Sequence, residues 1–386
     1  MKARAAAWDV VVIGAGPAGC AAGVAAARAG ARVLVVDRAH FPRNKTCGDA
    51  VSNRGAAIVD DMAGRTRDLA TIPHAIVDDG VAILPEGTEI VRSFGADPGW
   101  IVPRLHLDAR LVEHLRNSGA ELREGVAVRG LVREGDRVAG IETAGETIAA
   151  RCVIACDGPG SIAASALGDP YRRGRHLAIA ITAYYEGVRP SAHGRAAEHF
   201  FEPGLRAGYG WIFPPVDGIA NVGVYQRSDR FHDHGEKLDV LLARFLAAHR
   251  DRFEGARVVG RPRVWSLPLA VPPSAPAVAG LLRAGDAGSY IDPLAGEGIW
   301  QALHSGKLAG TMAAAALDRD GVDANVAARH RRRCNLDIVA PAVARLLVQE
   351  AMDVVVERRL TRFAPLRALL ARGYKSELLE ASKRMR

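Results

Sequence analysis

The chain has no run of about eighteen apolar residues, which excludes a helix able to span a bilayer. Cysteine is scarce: Cys20, Cys47, Cys152, Cys156 and Cys334 show none of the paired spacing of a secreted disulfide framework. Cys152 and Cys156 lack the second pair that a zinc site needs, so no metal centre is expected. Low-complexity stretches are missing too, and with 49% hydrophobic residues the 386-residue chain can bury cores for two or three domains. Unbalanced charge is confined to one end. Residues 319–386 carry 15 Lys and Arg against 8 Asp and Glu, which supplies +7 of the net +8. What remains is close to neutral, and that argues against a nucleic-acid partner. The opening Met1 to Ala7 resembles a secretory leader, but its apolar run continues straight into a glycine fingerprint, so the leader reading is set aside. The cytoplasm is the expected compartment.

What is present begins at once. Trp8 to Ile13 predicts a short buried strand, and Gly14-Ala15-Gly16-Pro17-Ala18-Gly19 follows it directly. An alanine-rich helix then runs to about Arg28, Gly30 ends it, and Arg32 to Asp37 is a second strand. This strand–loop–helix–strand setting turns a weak glycine pattern into a strong dinucleotide fingerprint. Gly14 makes the tight turn, Gly16 lets a pyrophosphate approach the backbone, and Gly19 allows close helix–strand packing. The helix N-terminus offers free N–H groups to the phosphates, and Asp37 can accept from a ribose diol.

Four further motifs follow in order. Arg38-Ala39-His40-Phe41-Pro42-Arg43 leads through Lys45-Thr46-Cys47-Gly48-Asp49, and Ile101-Val102-Pro103-Arg104 opens an amphipathic helix. Val153 to Cys156 is an apolar strand ending in Asp157-Gly158. Leu282-Arg283-Ala284-Gly285-Asp286 continues through Pro293 to Gly296-Glu297-Gly298-Ile299 and another alanine-rich helix. Together these resemble the aromatic-hydroxylase-type FAD fold, and within it the chain is similar to the geranylgeranyl reductase family over roughly residues 8–315. The resemblance implies FAD as cofactor, with Gly14, Gly16, Ala18, Gly19, Asp37 and Arg38 in its binding set. It also implies that Arg104 reaches the cofactor, that Asp157 and Gly158 form a shared turn, and that Gly285 and Asp286 meet the ribityl and pyrophosphate. Pro293, Gly296, Glu297, Gly298 and Ile299 would lie beside the isoalloxazine, where a helix N-terminus can stabilise the anion of reduced flavin.

The same resemblance places Cys47 and Gly48 near flavin and substrate. Cys47 could donate a proton or simply fill space. Tyr209-Gly210-Trp211-Ile212-Phe213-Pro214 matches a segment that lines the family's substrate cavity, although Arg206 stands where the family often has proline. Tyr209, Trp211, Phe213 and Pro214 are therefore candidate substrate contacts, or a plain core strand, and Tyr209 is a second acid candidate. The implied activity is reduction of carbon–carbon double bonds in a hydrophobic, isoprenoid substrate. The alternative is a monooxygenase of an aromatic or alkene substrate on the same fold. A halogenase is disfavoured, because neither a Gly-Glu-Ser stretch nor a Trp-x-Trp-x-Ile-Pro segment occurs. A flavin-binding module that senses redox state is a further reading, against which the intact substrate-side motifs argue. With no second dinucleotide fingerprint, NAD(P)H or another external electron donor would bind transiently.

The expected fold class is α/β. A discontinuous FAD-binding domain (1–75, 100–170, 270–316) joins an antiparallel-sheet substrate domain (76–99, 171–269), followed by a helical C-terminal region (317–386). In the sheet domain, Ile181 to Glu186 and Ala220 to Tyr225 alternate with period two, and one helix falls at about 236–250. The C-terminal helices are expected at Ala327–Ile338, Pro341 to about Leu360 and Leu366–Ser382. Their arginines are either solvated charges or a face for peripheral contact with an anionic membrane. Nothing in the sequence sets an oligomeric state.

Overall fold

A computed structural model describes residues 8–167, 173–232, 236–273, 276–319 and 321–375. Its first sheet is nucleated by Trp8–Ile13 and Val33–Asp37, whose valines are buried on both faces, as a parallel strand under helices requires. The parallel order is Glu121–Glu124, Val33–Asp37, Trp8–Ile13, Thr147–Ala155, Leu281–Arg283. Arg137–Thr143 and Val128–Glu134 extend it antiparallel from Thr147–Ala155. Helix Pro17–Arg28 crosses helix Ile299–Ala315 so closely that a Cβ on Gly306 would sit 2.1 Å from the Ala18 carbonyl oxygen, and one on Gly310 2.2 Å from that of Ala22. Small residues thus bring two helices distant in sequence together over the middle of the sheet.

The second sheet has the order Arg257–Pro268, Leu177–Glu186, Ile219–Arg227, Gly208–Ile212, Ala196–Phe200, Asp79–Ile83, Glu89–Ser93. Only the Ala196–Phe200 to Asp79–Ile83 pair is parallel. Period two holds in the packing. Ile181, Ala183, Val222 and Val224 join Leu241 and Phe245 of helix Leu238–Ala248 on one face. Ala178, Ala180, Tyr209, Trp211 and Tyr225 cluster on the other. No wet face results: the central strand Ile219–Arg227 is buried at every position after the first.

The C-terminal region departs from expectation in one respect. Helix Ala324–Cys334 runs into Ala340–Glu357 without a break, through a π turn at Asn335–Val339. Pro341 lies at the start of the second helix and cannot donate a ladder hydrogen bond; the wider turn absorbs that missing step. A third helix spans Ala364–Lys375, and the part expected beyond it, to Ser382, lies outside the described residues. No helix among the described residues is long and apolar enough to cross a membrane.

Candidate active site

The glycine loop is shaped as its spacing requires. Gly14 has φ +94°, and a Cβ there would lie 2.6 Å from the Cys156 carbonyl oxygen. A Cβ on Gly19 would come within 1.7 Å of the Gly14 carbonyl oxygen, so the helix can start here only with glycine. Gly16 differs: its only near neighbour is the Arg43 guanidinium at 3.9 Å, which leaves open space above the helix N-terminus. That helix has no acidic residue in its first turn and no side-chain cap, so its first N–H groups stay available to an anion. Asp37 accepts from the backbone N–H groups of Ala15 (2.7 Å) and Ala39 (2.8 Å), and its remaining lone pairs can take a diol. Arg38 stands exposed just past it.

On the opposite wall, Gly285 has φ +59° and packs 3.0 Å from the Ala18 methyl, measured from its notional Cβ. Its N–H donates to Ser305 Oγ at 2.9 Å. Half-buried Asp286 has Oδ1 3.9 Å from the notional Cβ of Gly298, at the N-terminus of helix Ile299–Ala315. Asp292 ties the next loop together, accepting from Leu294 and Ala295 N–H and pairing with Arg345. Tyr225 donates to the Pro293 carbonyl at 2.8 Å, and Tyr209 to that of Ala295 at 2.5 Å. Burial pushes Tyr209 well above the usual phenol range and raises the Glu297 carboxyl. Gly158 completes its turn with φ +82°, and Asp157 accepts from Ile162 N–H at 2.7 Å through one oxygen.

The fit to FAD can be tested on buried groups. Asp157 Oδ1 and Glu297 Oε1 are buried without a protein partner, which suits acceptors that face ligand hydroxyl or N–H groups. The open space at Gly16 suits a pyrophosphate, and nearby Arg43 adds a cation held by Asp108 at 2.7 Å. The residues present fit the cofactor. Arg104 shares Asp108 with Arg43. Its guanidinium is buried and held bidentately by Asp108 at 2.6 and 2.8 Å, with Cys47 beside it. Burial alone would depress its pKa, but the Asp108 carboxylate outweighs that and keeps it charged.

Cys47 and Gly48 meet the substrate sheet through a buried joint that sequence reasoning missed. Asn221 donates to the Cys47 carbonyl and to Asp49 Oδ2, each at 2.8 Å, and accepts from Trp211 Nε1 at 2.9 Å. Asp49 also accepts from the Tyr184 hydroxyl at 2.7 Å and from Arg104 N–H at 3.3 Å. Its backbone is left-handed, with φ 63°, and burial pushes its carboxyl up to about 6. A Cβ on Gly48 would lie 3.3 Å from the Phe213 ring. Lys45 sits over the Trp265 ring at 4.7 Å, and burial lowers its pKa. Tyr209, Trp211 and Phe213 form one aromatic wall, backed by His199, which burial holds neutral with a pKa lowered to about 4. Half-buried Pro214 ends that wall. Beyond Tyr209 lies a small recess of about 20 Å³, lined by Phe201, Leu205, Tyr209, Leu294, Met352 and Val356 among others.

The doubly wound sheet, the glycine cradle and the aromatic roof define an FAD-dependent oxidoreductase, and residues 7–195 match the FAD binding domain family. The chain is 31% identical over 365 residues to digeranylgeranylglycerophospholipid reductase 1 of Methanopyrus kandleri, covering 91% of this chain and 93% of that protein. It is 32% identical over 310 residues to menaquinone reductase of Mycolicibacterium smegmatis, covering 78% and 75%. In three dimensions it resembles a geranylgeranyl bacteriochlorophyll reductase-like protein of Thermoplasma acidophilum, with a TM-score of 0.79, 22% identity and coverage of 91% and 90%. The chain belongs to the geranylgeranyl reductase family of FAD-dependent oxidoreductases.

Proposed function

We propose that this enzyme reduces carbon–carbon double bonds in the prenyl chain of a lipid or prenylated quinone. The observation that carries the reading is the aromatic wall of Tyr209, Trp211 and Phe213, which faces the Cys47–Gly48 turn and backs onto a small recess beside the 293–298 loop. The two polar groups lining the recess are already engaged: Asp353 accepts from Ala207 N–H, and Gln349 donates to the Ala207 and Pro293 carbonyls. The wall therefore offers a hydrocarbon chain aromatic surface, while the one carboxylate in the recess, Asp353, is held by Arg206. The relatives named for reducing menaquinone and digeranylgeranylglycerophospholipid act on molecules of that kind. Peripheral membrane contact and a nicotinamide or other external electron donor belong to the same proposal.

When bound, the flavin supplies hydride to one alkene carbon, and the other carbon needs a proton. An isolated alkene accepts hydride poorly, so placement and the acid carry much of the work. Cys47 is assigned the proton. Asn221 and Asp49 fix its turn against the aromatic wall, and its side chain lies beside Arg104. Tyr209 is assigned to the wall instead, because its proton is committed to the Ala295 carbonyl and burial makes the phenol a poor acid. Glycines 14, 16, 19 and 285, with Asp37, Asp157 and Asp286, are assigned to holding the cofactor.

Product mass is the test. Holoenzyme given a reductant and a prenylated quinone without oxygen should yield a product heavier by about two mass units per bond reduced. A gain of about sixteen that requires oxygen would make the enzyme a monooxygenase. Cys47→Ala should lower turnover about 100-fold while FAD content and flavin reduction by the donor stay unchanged. Full turnover in that variant would remove the thiol from the mechanism.

A further inference from the structure

Helix Ala340–Glu357 is built inside out. Its exposed positions are Val343, Leu347, Val348 and Val354, with Ala340, Ala344 and Ala351, and none is polar. Its charged and amide side chains are engaged with the body of the protein, although the Glu350 side chain, at the edge of the apolar face, is 40% exposed. Arg345 pairs with Asp292, Glu350 with Arg227 and Arg230, and Asp353 with Arg206, while Glu357 accepts from Gly204 N–H at 2.7 Å. A surface helix ordinarily shows the reverse arrangement. At 100° per residue, Val343, Leu347 and Val354 fall within about 40° of one another, so they form one stripe along the helix. Leu336 is 56% and Leu347 67% exposed, and exposed Phe363 and Leu369 extend the apolar surface past the helix end.

Charge frames this stripe with a single sign. Arg332 and Arg333 are exposed at one end, and Arg358, Arg359 and Arg362 at the other. Apart from the part-exposed Glu350, no Asp or Glu is among the exposed residues from 332 to 372. On its inner side the same helix contributes Met352 and Val356 to the recess behind Tyr209. One helix, about 10 Å across, thus separates the outer stripe from the recess.

We propose that this stripe is a docking surface for the anionic face of a lipid bilayer, and that the enzyme takes its prenyl substrate from the membrane on which the helix rests. The apolar side chains would enter the headgroup boundary while the arginines meet anionic lipid. A second copy of the chain fits less well, since a two-fold interface would set the arginine-framed surface against itself. The loading step rests on the prenyl-lipid reading; the docking itself does not.

The experiment is flotation of the full-length holoenzyme with vesicles of phosphatidylcholine, alone or mixed with phosphatidylglycerol. Binding is expected to the mixed vesicles and should weaken as salt rises. Leu347→Glu combined with Val354→Glu should cut the bound fraction about tenfold or more, with FAD content and turnover of a short, water-soluble prenyl alcohol unchanged. Absence of wild-type binding to the mixed vesicles, or equal binding by the double variant, would overturn the proposal. So would a wild-type dimer that Leu347→Glu converts to monomer, because the face would then belong to a second copy. Failure of the substrate reading shows separately, as intact vesicle binding without turnover of any prenyl substrate.

Discussion

Two glycines three positions apart, Gly16 and Gly19, separate what the chain needs from what the ligand needs. Gly19→Ala places a methyl 1.7 Å from the Gly14 carbonyl oxygen, and no side chain is there to yield. It should cost the apoprotein about 3 kcal/mol or more, read as a lowered denaturation midpoint. Gly16→Ala meets only Arg43, at 3.9 Å, and Gly16 has φ −75°. Its apoprotein should unfold like wild type while flavin affinity falls about tenfold or more, read by titration of flavin fluorescence. Asp49 sets a pH dependence. Its carboxyl sits at about 6 in the fold against an ordinary 3.8, so between those values the folded state holds more protons than the unfolded chain. Stability then falls as pH rises through that window. Relative to Asp49→Asn, wild type should lose about 2–3 kcal/mol between pH 4 and pH 7, measured by urea denaturation at each pH.

Among the elements, the crossing of Pro17–Arg28 with Ile299–Ala315 is the one most sensitive to size. Gly306→Ala should push the helices apart, costing about 1–3 kcal/mol and moving the helix N-terminus at Gly298 away from the flavin. A lower melting temperature together with a weaker FAD affinity would bear this out; a change in neither would show that the crossing has slack. The fingerprint strands and this helix were legible in the sequence, because valine runs and glycine spacing act locally. The joint at Asn221 was not, since its partners Cys47 and Asp49 lie more than 170 positions away and meet it only after Ile219–Arg227 enters the sheet. A faint signal existed in the lone amide of Ala220-Asn221-Val222-Gly223-Val224, a polar group that a buried strand keeps only for a partner. Period two in the same strand was legible, but its burial on both faces depends on helix Leu238–Ala248 and on the cofactor-side loops. The pairing of Arg104 is local by contrast: the helix that presents it also carries Asp108 one turn on, which holds it.

At the scale of the whole molecule, the two sheets communicate through few polar contacts. Asn221→Ala removes three hydrogen bonds at once and should leave flavin affinity within about threefold of wild type, since no nucleotide contact is touched. Turnover should fall at least about tenfold, because Cys47 loses its fixed place over the substrate wall. Parallel losses of affinity and turnover would show instead that the joint supports the cradle itself. The order in which the chain leaves the ribosome gives the cradle a further property. Its first wall is complete by residue 37, yet the strand Leu281–Arg283 and the helix from Ile299 that close it come about 250 positions later. Contacts this distant in sequence form late in folding. During synthesis the buried surface of Pro17–Arg28 has no lasting cover until the final quarter of the chain emerges, so nascent chains would carry a sticky, flavin-free half-site. Cofactor supply can therefore rescue yield only after release: riboflavin feeding should raise the recovery of full-length enzyme, and chains ending near residue 270 should gain nothing from it.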